Sequence, residues 1–570
     1  MGRIIGIDLG TTTSEIAYIK NGKPEIIISK EGARIIPSVV SVKNGEILVG
    51  VSAKKNYAGN PENTVTEIKR LMGTSGTVSM AGKDYLSEDI SAIILKSLKE
   101  AAEISLGEEV TEAVITVPAN FNDLERSATK RAGEKAGFIV ERIINEPTAA
   151  AMAYGIDNME DDSKILVYDL GGGTFDVTVL ELFEGILDVK ASRGNNRLGG
   201  KDFDNKIVEF IVSKIKEEYG IDVTKDEKVM GRVNAVAEEV KKDLTNMSTT
   251  EINLMYLISD SEGNPINVQI EINRNEFEEM IFDLVMSTKN TIMEALEASK
   301  YKINDIEKVL VVGGSTRIPL VKKMINDIFG DKIKSGLNPD EAVALGAAVQ
   351  AGIKNNEIKS EDCLVVTDTC YFTMGIEIIK IINNKDIEGV FDPLIYKDSK
   401  MPAIEKRTYI TANDYQTSML IQVYQGDGAF VKDNIKIGEV ELDGIPEGPR
   451  GQESIEVEFR YNLNGILEVS TTILSNGKRV DKLIDTSKLY IDSNQIVNES
   501  KNLDAWDTYP LASLVNDTIS LAERRMQKLN PKFASKVEEL INKIKEAVIN
   551  NNKELASKLD NELTDLLFDL

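Results

Sequence analysis

Short apolar runs alternate with amphipathic segments from the start of the chain to about position 355. The runs are rich in β-branched residues and end at Gly, Pro or Asp, as strands buried on both faces do; they cover 3–8, 114–117, 165–169 and 309–312. Between them, segments such as 89–103, 123–136 and 320–329 repeat apolar residues at helical spacing. This alternation predicts an α/β region with buried sheets.

The pattern changes between residues 353 and 368. A polar, charged segment at 352–362 is followed by the apolar run Leu364-Val365-Val366, and no long helical pattern follows for the next hundred or so positions. Alternating apolar and polar residues instead occupy 417–424, 455–459 and 466–469, and the Asn-Gly pairs at 464–465 and 476–477 favour hairpin turns. This region is predicted to be a small antiparallel β-domain.

Helical spacing returns from about position 500. One apolar face consists of Phe533, Val537, Leu540, Ile541, Ile544 and Val548; after three asparagines at 550–552, a second consists of Leu555, Leu559, Leu563 and Leu566. We expect a small helical bundle here. The single tryptophan, Trp506, falls at the boundary between the β-domain and this bundle.

Composition restricts the available chemistry. The chain has 570 residues, a formal net charge of −26, two cysteines and no histidine. The absence of histidine excludes Ser-His-Asp triads, His-ligated zinc and imidazole general bases. Catalysis must therefore use carboxylates, lysine, hydroxyls, backbone dipoles or a hard metal ion, and the length predicts roughly two to four domains.

The same composition indicates which partners and compartments to expect. The acidity and the lack of a basic stripe argue against nucleic-acid binding. The chain has no apolar run of roughly eighteen residues, so we expect no membrane span. The first residues do not have the pattern of a secretory signal. Because Cys363 and Cys370 are too few for a disulfide scaffold, we expect ordinary buried thiols and a cytoplasmic location.

Two segments repeat the same arrangement of strand, aspartate and Gly/Thr turn. They are Ile4-Ile5-Gly6-Ile7-Asp8-Leu9-Gly10-Thr11-Thr12 and residues 165–176, and a second strand follows each, at 14–19 and 177–181. Glycines let backbone N–H groups approach a phosphate, and Thr hydroxyls add donors. The aspartates need a cation between themselves and a phosphate, and a hydrated Mg²⁺ suits them. Two such hairpins facing each other would hold a triphosphate from both sides.

A third glycine turn follows the strand at 309–312. Gly313-Gly314 leads into a helix with Pro319 just inside its start. Close backbone approach to a flat nucleoside suits this turn, but an ordinary connection between strand and helix is about equally consistent with it.

Together these motifs resemble the DnaK-type heat-shock chaperones over nearly the whole chain, fading in the last seventy or so residues. In the first part they are Asp8-Leu9-Gly10-Thr11-Thr12, Val117-Pro118-Ala119, Ile144-Asn145-Glu146-Pro147-Thr148-Ala149-Ala150-Ala151, 169–176, Leu198-Gly199-Gly200, 313–317 and Asn338-Pro339-Asp340-Glu341-Ala342. In the second they are Gln425-Gly426, Gly444-Ile445-Pro446, Pro449-Arg450-Gly451 and Asn464-Gly465-Ile466-Leu467. Residues 69–85 and the linker Thr367-Asp368-Thr369-Cys370-Tyr371 look most like the short HscC branch.

The resemblance implies an ATP-dependent chaperone of the stress response that binds and releases extended unfolded polypeptide. It implies an actin/hexokinase-like, two-lobed α/β ATPase domain at 1–360, a linker at 361–368, an antiparallel β-sandwich peptide-binding domain at 369–491 and a short α-helical lid at 492–570. The implied cofactors are ATP/ADP, Mg²⁺ and K⁺. The implied partners are unfolded clients, a J-domain co-chaperone and a nucleotide exchange factor.

The resemblance also assigns nucleotide-site residues. Asp8 and Asp169 would hold hydrated Mg²⁺, and Lys69, Glu146, Thr174 and Asp176 would position the attacking water. ATP would contact Gly10, Thr11, Thr12, Gly171, Gly172, Gly173, Thr174, Gly200, Glu238, Lys241, Lys242, Thr245, Gly313, Gly314, Ser315, Arg317 and Asp340. Without the resemblance, Glu146 before Pro147 would only start a helix, and Lys69 would be a surface cation.

Coupling and peptide-binding residues rest on the same resemblance. Coupling would run through Pro118 and Arg126 to Leu364, Val365, Val366 and Asp368. The peptide pocket would be lined by Phe372, Met374, Ile376, Met419 and Ile421, under an arch of Phe391 and Ala412. An alternating apolar strand is, however, more often plain core.

Several positions depart from the family pattern. Lys201 stands where the family usually has Glu, Met419 replaces a smaller Val, and Thr367 and Tyr371 replace Leu and Pro near the linker. The lid is short, and the loop that exchange factors grip is trimmed. Nucleotide binding, pocket depth and coupling therefore all stand to differ from those of relatives.

Four alternatives stay open at this point. They are a small-molecule kinase of the same superfold, an actin-like filament protein, a non-cycling peptide binder and an uncoupled or client-specific ATPase. A kinase would have little use for the β-domain, and a filament protein would lack it. The complete set Asp8, Lys69, Glu146, Asp169 and Thr174 argues against a degenerate ATPase.

Overall fold

The computed structural model describes residues 3–159, 161–259, 263–334, 336–358, 364–382, 385–462, 465–484, 509–512, 514–516, 518–519, 522 and 531–568. Trp506, Cys363 and Asn464, which carried expectations above, lie outside these residues. The chain forms two compact units, Met1–Thr369 and Cys370–Leu570.

The first unit is a mixed α/β structure. Its strands are β1 (Arg3–Leu9), β2 (Thr13–Lys20), β3 (Lys23–Ile26), β4 (Ile36–Pro37), β5 (Val40–Lys43), β6 (Glu46–Val49), β7 (Thr64–Val65), β8 (Thr77–Met80), β9 (Lys83–Leu86), β10 (Val110–Val117), β11 (Ile139–Asn145), β12 (Ser163–Leu170), β13 (Phe175–Phe183), β14 (Ile186–Asn195), β15 (Thr249–Ser259), β16 (Pro265–Asn273), β17 (Lys308–Val312) and β18 (Val365–Thr367). Its helices are α1 (Val51–Tyr57), α2 (Ser87–Leu106), α3 (Asp123–Lys135), α4 (Glu146–Gly155), α5 (Gly200–Tyr219), α6 (Glu227–Asn246), α7 (Arg274–Ser299), α8 (Pro319–Phe329) and α9 (Ala342–Lys354). The strands and helices predicted from the apolar pattern are confirmed.

Two sheets of the first unit repeat one arrangement. One has the order β11-β10-β1-β2-β3, with β4 paired to β2, and the other has the order β17-β12-β13-β14-β18. In each, an antiparallel hairpin, β1–β2 or β12–β13, has its first strand parallel to a later strand, β10 or β17. The duplication predicted from the two Asp-Gly-Thr segments is therefore confirmed.

Local signals explain where the helices begin. At α3, Asn122 Oδ1 accepts from the N–H groups of Leu124 and Glu125, and the Glu125 carboxylate accepts from the N–H of Asn122. This reciprocal cap satisfies amides that have no partner inside the helix. Pro319 lies in the first turn of α8, where a missing N–H has no cost.

Helices α4 and α9 cross closely over the core that the two sheets share. A Cβ atom at Gly346 would lie 1.7 Å from the carbonyl oxygen of Ala149, so the crossing requires glycine. Buried alanines on both helices join Ile165, Val167 and Leu310 in one apolar cluster. The crossing fixes the N-terminus of α4, which carries Glu146.

The second unit contains two antiparallel sheets. Its strands are β19 (Met374–Ile382), β20 (Lys385–Ile395), β21 (Ala403–Ile410), β22 (Ser418–Gln425), β23 (Ile435–Asp443), β24 (Ser454–Tyr461), β25 (Leu467–Ile473) and β26 (Arg479–Leu483), in the orders β20-β19-β22-β23 and β21-β24-β25-β26. Side chains from both sheets share one apolar core, which includes the buried Cys370. The predicted antiparallel strands are confirmed, as is the hairpin at Asn476-Gly477, although its connection runs over 474–478 and is not a two-residue turn.

Helices α10 (Pro531–Ile549) and α11 (Lys553–Phe568) follow. Val537, Ile544 and Val548 are buried, and Leu559 and Leu563 of α11 pack into the same cluster. The predicted helix is confirmed at Phe533, which lies in the first turn of α10 and is 42% exposed. Within the part of the chain that the structure describes, no helix has the length and apolar character needed to cross a bilayer.

Candidate functional site

The turns of the two repeated hairpins lie against each other. A Cβ atom at Gly172 would lie 2.2 Å from Oγ1 of Thr12, and one at Gly173 would lie 2.5 Å from Cγ2 of Thr11. At Gly10 a Cβ would lie 2.1 Å from the carbonyl oxygen of its own turn, that of Thr13. Only glycine permits this approach, so the expectation that the two Gly/Thr turns face each other is confirmed.

Four carboxylates and one ammonium group meet beside these turns. Asp169, Asp176, Glu146 and Lys69 are all at most 8% exposed, and Asp8 interacts electrostatically with Glu146 and Lys69. Lys69 Nζ donates to Glu146 Oε1 at 2.6 Å. The reading of Lys69 as a surface cation is therefore wrong, whereas Glu146 both starts α4 and pairs with Lys69.

Burial and the crowding of negative charge raise the pKa of three of these carboxyl groups. Burial, reinforced by the charge of Glu146, raises the pKa of Asp8 and of Asp176 to about 7. Burial and the charges of Glu146, Asp176 and Asp8 raise the pKa of Asp169 well above its ordinary value. Lys69 lowers the pKa of Asp8 and Asp169 but does not balance four carboxylates. The site therefore favours added positive charge.

The two metal candidates fit a hydrated Mg²⁺. Asp169 Oδ2 is buried and accepts no hydrogen bond, while Asp8 Oδ1 accepts from Thr116 Oγ1 at 3.0 Å. Among the described residues, no three or more acidic or cysteine side chains form a metal site by themselves. Mg²⁺ normally keeps several waters and uses one or two carboxylates together with phosphate oxygens, so these two aspartates suffice.

Backbone and amide donors fix Asp176. Its carboxylate accepts from Asn120 Nδ2 at 2.7 Å and from the backbone of Ala119 and Asn120. Thr174 is buried in the same turn, and its carbonyl oxygen accepts from the N–H of Gly171 at 3.1 Å. Asp176 and Thr174, two of the residues expected to position the attacking water, are thus both held by hydrogen bonds.

Helix α5 begins on the second hairpin turn. The N–H of Gly200 donates to the carbonyl oxygen of Gly171 at 2.9 Å, and Ser315 Oγ donates to the same oxygen at 2.9 Å. Lys241 Nζ donates to the carbonyl oxygen of Gly200 at 3.0 Å and forms an ion pair with Asp204 at 2.8 Å. The three segments that carry these residues therefore meet at one place.

Glu238 forms ion pairs with two lysines beside this region. Its carboxylate lies 2.7 Å from Lys54 Nζ and 2.6 Å from Lys242 Nζ. Burial alone would raise the pKa of Glu238, but the two ammonium groups outweigh it and lower the pKa to about 2. Glu238 is therefore ionised at neutral pH.

The third glycine turn closes the arrangement. Gly313 has a φ of 80°, and a Cβ there would lie 2.4 Å from the carbonyl oxygen of Leu170. Arg317 Nη2 donates to Asp340 Oδ2 at 2.5 Å, and a Cβ at Gly314 would lie 3.0 Å from Oδ1 of the same Asp340. A cavity of about 510 Å³ opens next to this turn; it is lined by Thr245, Asn246, Arg317, Pro319, Lys322, Lys323, Asn326 and Asp327.

The site thus has two facing glycine turns with buried carboxylates at one end and a cavity beside basic side chains at the other. Residues 4–78 and 75–569 of the chain match the family model described as Hsp70 protein. The chain belongs to the Hsp70 family. Membership supports an ATP-dependent chaperone with an ATPase domain and a β-rich domain, which binds ATP and ADP with Mg²⁺ and works with unfolded clients and co-chaperones. The assignment to the HscC branch stays a prediction.

In this Hsp70 protein, the predicted linker forms an edge strand of the first unit. Strand β18 runs parallel to β14, with Val365 opposite Ile186 and Val366 opposite Leu187. Leu364 is 4% exposed, and its Cδ1 would lie 3.2 Å from a Cβ at Gly155. Val365 is 55% exposed. The apolar linker is therefore docked on its sheet, mainly through Leu364.

A chain of hydrogen bonds joins the other predicted coupling residues. Pro118 is buried, and its carbonyl oxygen accepts from the N–H of Phe121. Arg126 Nη2 donates to Asn145 Oδ1 at 2.5 Å, and Asn145 Nδ2 donates to Asp368 Oδ2 at 2.8 Å. Asp368, at the end of the linker, is therefore connected to Arg126 by two hydrogen bonds through Asn145. Because Asn145 immediately precedes Glu146, the same connection lies next to the start of α4.

The predicted peptide-pocket residues of the second unit divide into two groups. Met374, Ile376 and Ile421 are at most 3% exposed and belong to the core of the sheets, with Met419 packed against them. This is the ordinary role of an alternating strand, so their part in peptide binding stays a prediction.

The other pocket and arch residues lie outside that core cluster. Phe391 is buried, and its N–H donates to the carbonyl oxygen of Ala429 at 3.0 Å. Phe372 and Ala412 are partly exposed. The N–H of Ala412 donates to Gln416 Oε1 at 2.9 Å. An arch formed by Phe391 and Ala412 also stays a prediction.

Sequence reasoning missed several residues that support the nucleotide site. Thr116 and Asn120 hold Asp8 and Asp176, and Asn145 holds Asp368. Glu15 is 2% exposed; it lies opposite Asp8 across the β1–β2 ladder. Asn145 belongs to one of the family motifs, but a polar residue in a strand gives no local signal of its partner.

Proposed function

We propose that this Hsp70 protein is a slow ATP hydrolase whose cycle drives the binding and release of extended, unfolded polypeptide. The observation that carries the proposal is the buried group of Asp169, Asp176, Glu146 and Lys69, with the partly buried Asp8 beside it, next to two facing glycine turns. A surplus of buried carboxylates is costly in an empty site and becomes favourable when a cation and a phosphate chain occupy it.

The proposed nucleotide contacts follow from the position of each segment. The backbone N–H groups and hydroxyls of Gly10–Thr12 and Gly171–Thr174 would hold the phosphates from two sides. Asp8 and Asp169 would hold the hydrated Mg²⁺, and K⁺ would reduce the remaining negative charge. The nucleoside would contact Gly200, Glu238, Lys241, Lys242, Thr245, Gly313, Gly314, Ser315, Arg317 and Asp340.

Hydrolysis would rely on positioning more than on a strong base. Lys69 would hold the γ-phosphate and the attacking water, while Glu146 fixes the ammonium group at 2.6 Å. Asp176, held by Asn120, and Thr174 would orient the same water. Bound Mg²⁺ would neutralise charge on the phosphates. Phosphoryl transfer to water needs this kind of preorganised charge rather than histidine.

Coupling would use the linker. The finer division that we propose places the ATPase domain at 1–360, the linker at 361–368, the β-sandwich peptide-binding domain at 369–491 and the lid at 492–570. The docked β18 and the Arg126–Asn145–Asp368 hydrogen bonds support one of two linker states. Release of Leu364 would give the other state.

A J-domain co-chaperone and a nucleotide exchange factor are the proposed partners, and the cytoplasm is the proposed location. The low cysteine number supports a reducing compartment. The rival that keeps most of this geometry is an uncoupled or client-specific ATPase. A small-molecule kinase of the same superfold is less consistent with a β-rich second unit.

The deciding experiment measures ATP hydrolysis with Mg²⁺ and K⁺, with and without an extended apolar peptide. Slow turnover that rises with peptide supports the chaperone cycle. Turnover that ignores peptide supports the uncoupled rival, and no turnover contradicts the ATPase itself. Thr174→Ala is the control, because it removes a proposed water-positioning hydroxyl from the turn.

A further inference from the structure

The short turn that carries Lys69 is held on both sides by ion pairs to one helix. Lys69 lies in a 3-10 turn, Ile68–Leu71. On one side Glu67 lies 3.4 Å from Lys201 Nζ, and on the other Arg70 Nη2 lies 2.6 Å from Asp202 Oδ2. Lys201 and Asp202 are neighbours in the first turn of α5. The two ion pairs therefore bracket Lys69.

That first turn of α5 is itself bonded to the second phosphate turn. The N–H of Lys201 donates to the carbonyl oxygen of Gly172 at 2.9 Å. A Cβ at Gly199 would lie 2.5 Å from the carbonyl carbon of Gly172, so the contact leaves no slack. The first turn of α5 thus connects Lys69 with the second glycine turn, although Lys69 follows β7 and that glycine turn joins β12 to β13.

A lysine at this position needs a specific partner. The N-terminus of a helix carries partial positive charge, so Lys201 in the first turn of α5 is in an unfavourable field. Its ammonium group finds Glu67 and Asn234 Oδ1, the latter at 3.2 Å, and its side chain is 18% exposed. These contacts offset the helix dipole. A Glu at position 201 would instead face the like charge of Glu67.

Glu67 is constrained from the other side. Its φ of 56° is in the left-handed region, which costs energy for a residue with a Cβ. Glu67 directly precedes the 3-10 turn, so its backbone conformation sets the direction in which the chain enters the turn that carries Lys69. An ion pair that holds Glu67 therefore acts on the direction of the Lys69 side chain.

We propose that Lys201 is a positioning residue that, through Glu67, holds the Lys69 turn against the second phosphate turn and so sets the hydrolysis rate. The inference rests on the proposed ATPase function. Lys201 touches neither phosphate nor water in this scheme, so its effect appears in the hydrolytic step more than in nucleotide affinity.

A charge-reversal cycle tests the proposal. The full-length wild type, Lys201→Glu, Glu67→Lys and the double variant are loaded with Mg-ATP, and single-turnover hydrolysis and the ATP dissociation constant are measured. Each single variant should hydrolyse about twofold to fivefold more slowly, as expected for a partly exposed ion pair, with a smaller change in affinity. The double variant should return to within about twofold of wild type.

Two controls separate positioning from general damage. Lys201→Arg keeps the charge and should keep the rate. Lys206→Glu reverses a lysine on the same helix that pairs with Glu209 along the exposed face, and it should change nothing. A double variant no faster than the slower single one, or single variants that weaken ATP binding at an unchanged rate, would overturn the proposal. A wild type that hydrolyses no ATP would overturn the proposed function as well.

Discussion

Replacing Leu364 by Asp should separate ATP hydrolysis from its response to peptide. Leu364 is 4% exposed and packs in the cluster that contains Leu187, immediately before the docked strand β18. The carboxylate would be placed among apolar side chains, and Gly155 beneath it offers only a backbone surface. The substitution therefore acts on docking of the linker and leaves the residues around Lys69 in place.

The size of the effect follows from the burial. Withdrawing a fully buried leucine costs about 1.5–3 kcal/mol, and an unpaired carboxylate in the same place costs more. Taking about 3 kcal/mol as a lower bound, the ratio of docked to undocked linker falls by roughly 100-fold. A fall of this size weakens the linker's response to the nucleotide state.

The assay compares steady-state ATP hydrolysis with and without a saturating extended peptide. The Leu364→Asp variant should keep its basal rate within about twofold but lose the difference that peptide makes. Val365→Asp is the matched control. It places the same carboxylate one residue further along the linker, but at a side chain that is 55% exposed, and should keep the peptide response. A Leu364→Asp variant with unchanged peptide stimulation would refute the reasoning.

Three further predictions test the site itself. Gly172→Ala should abolish tight ATP binding in calorimetry, because its Cβ would lie 2.2 Å from Thr12 Oγ1; wild-type affinity would contradict the facing-turn arrangement. Lys69→Ala should lower single-turnover hydrolysis by about 100-fold or more, with Lys206→Ala as a matched surface control; an undiminished rate would remove Lys69 from the catalytic group. Burial, together with the charges of Asp8, Asp340 and Glu341, raises the pKa of Glu15 to about 10, so folding takes up a proton between pH 4.5 and 10 and the stability that depends on neutral Glu15 is lost as pH rises through this window. In urea unfolding of the nucleotide-free protein, Glu15→Gln should therefore flatten the decline in stability between pH 6 and 9, and an unaltered slope would contradict this assignment.

The repeated architecture and the glycine turns could be predicted from local stretches of residues. β-branched runs that end at Asp8 and Asp169 favour buried strands, and the glycines after them are required where backbones approach closely. These are local properties, so the strands, the helices from 87 to 135 and the two hairpins were predicted from short stretches of residues. The lack of histidine likewise excluded whole classes of catalyst, because no fold can supply an imidazole that the chain does not contain.

Which side chains meet could not be predicted without the folded structure. Lys69 and Glu146 are 77 positions apart, Asn145 and Asp368 are 223 apart, and nothing near either member indicates its partner. The burial of Glu15 and the ion pair of Lys201 with Glu67 are equally invisible locally. The physical reason is that charge pairing and desolvation depend on which elements pack together, and that packing is set by apolar faces distributed over the whole unit rather than by the polar residues themselves.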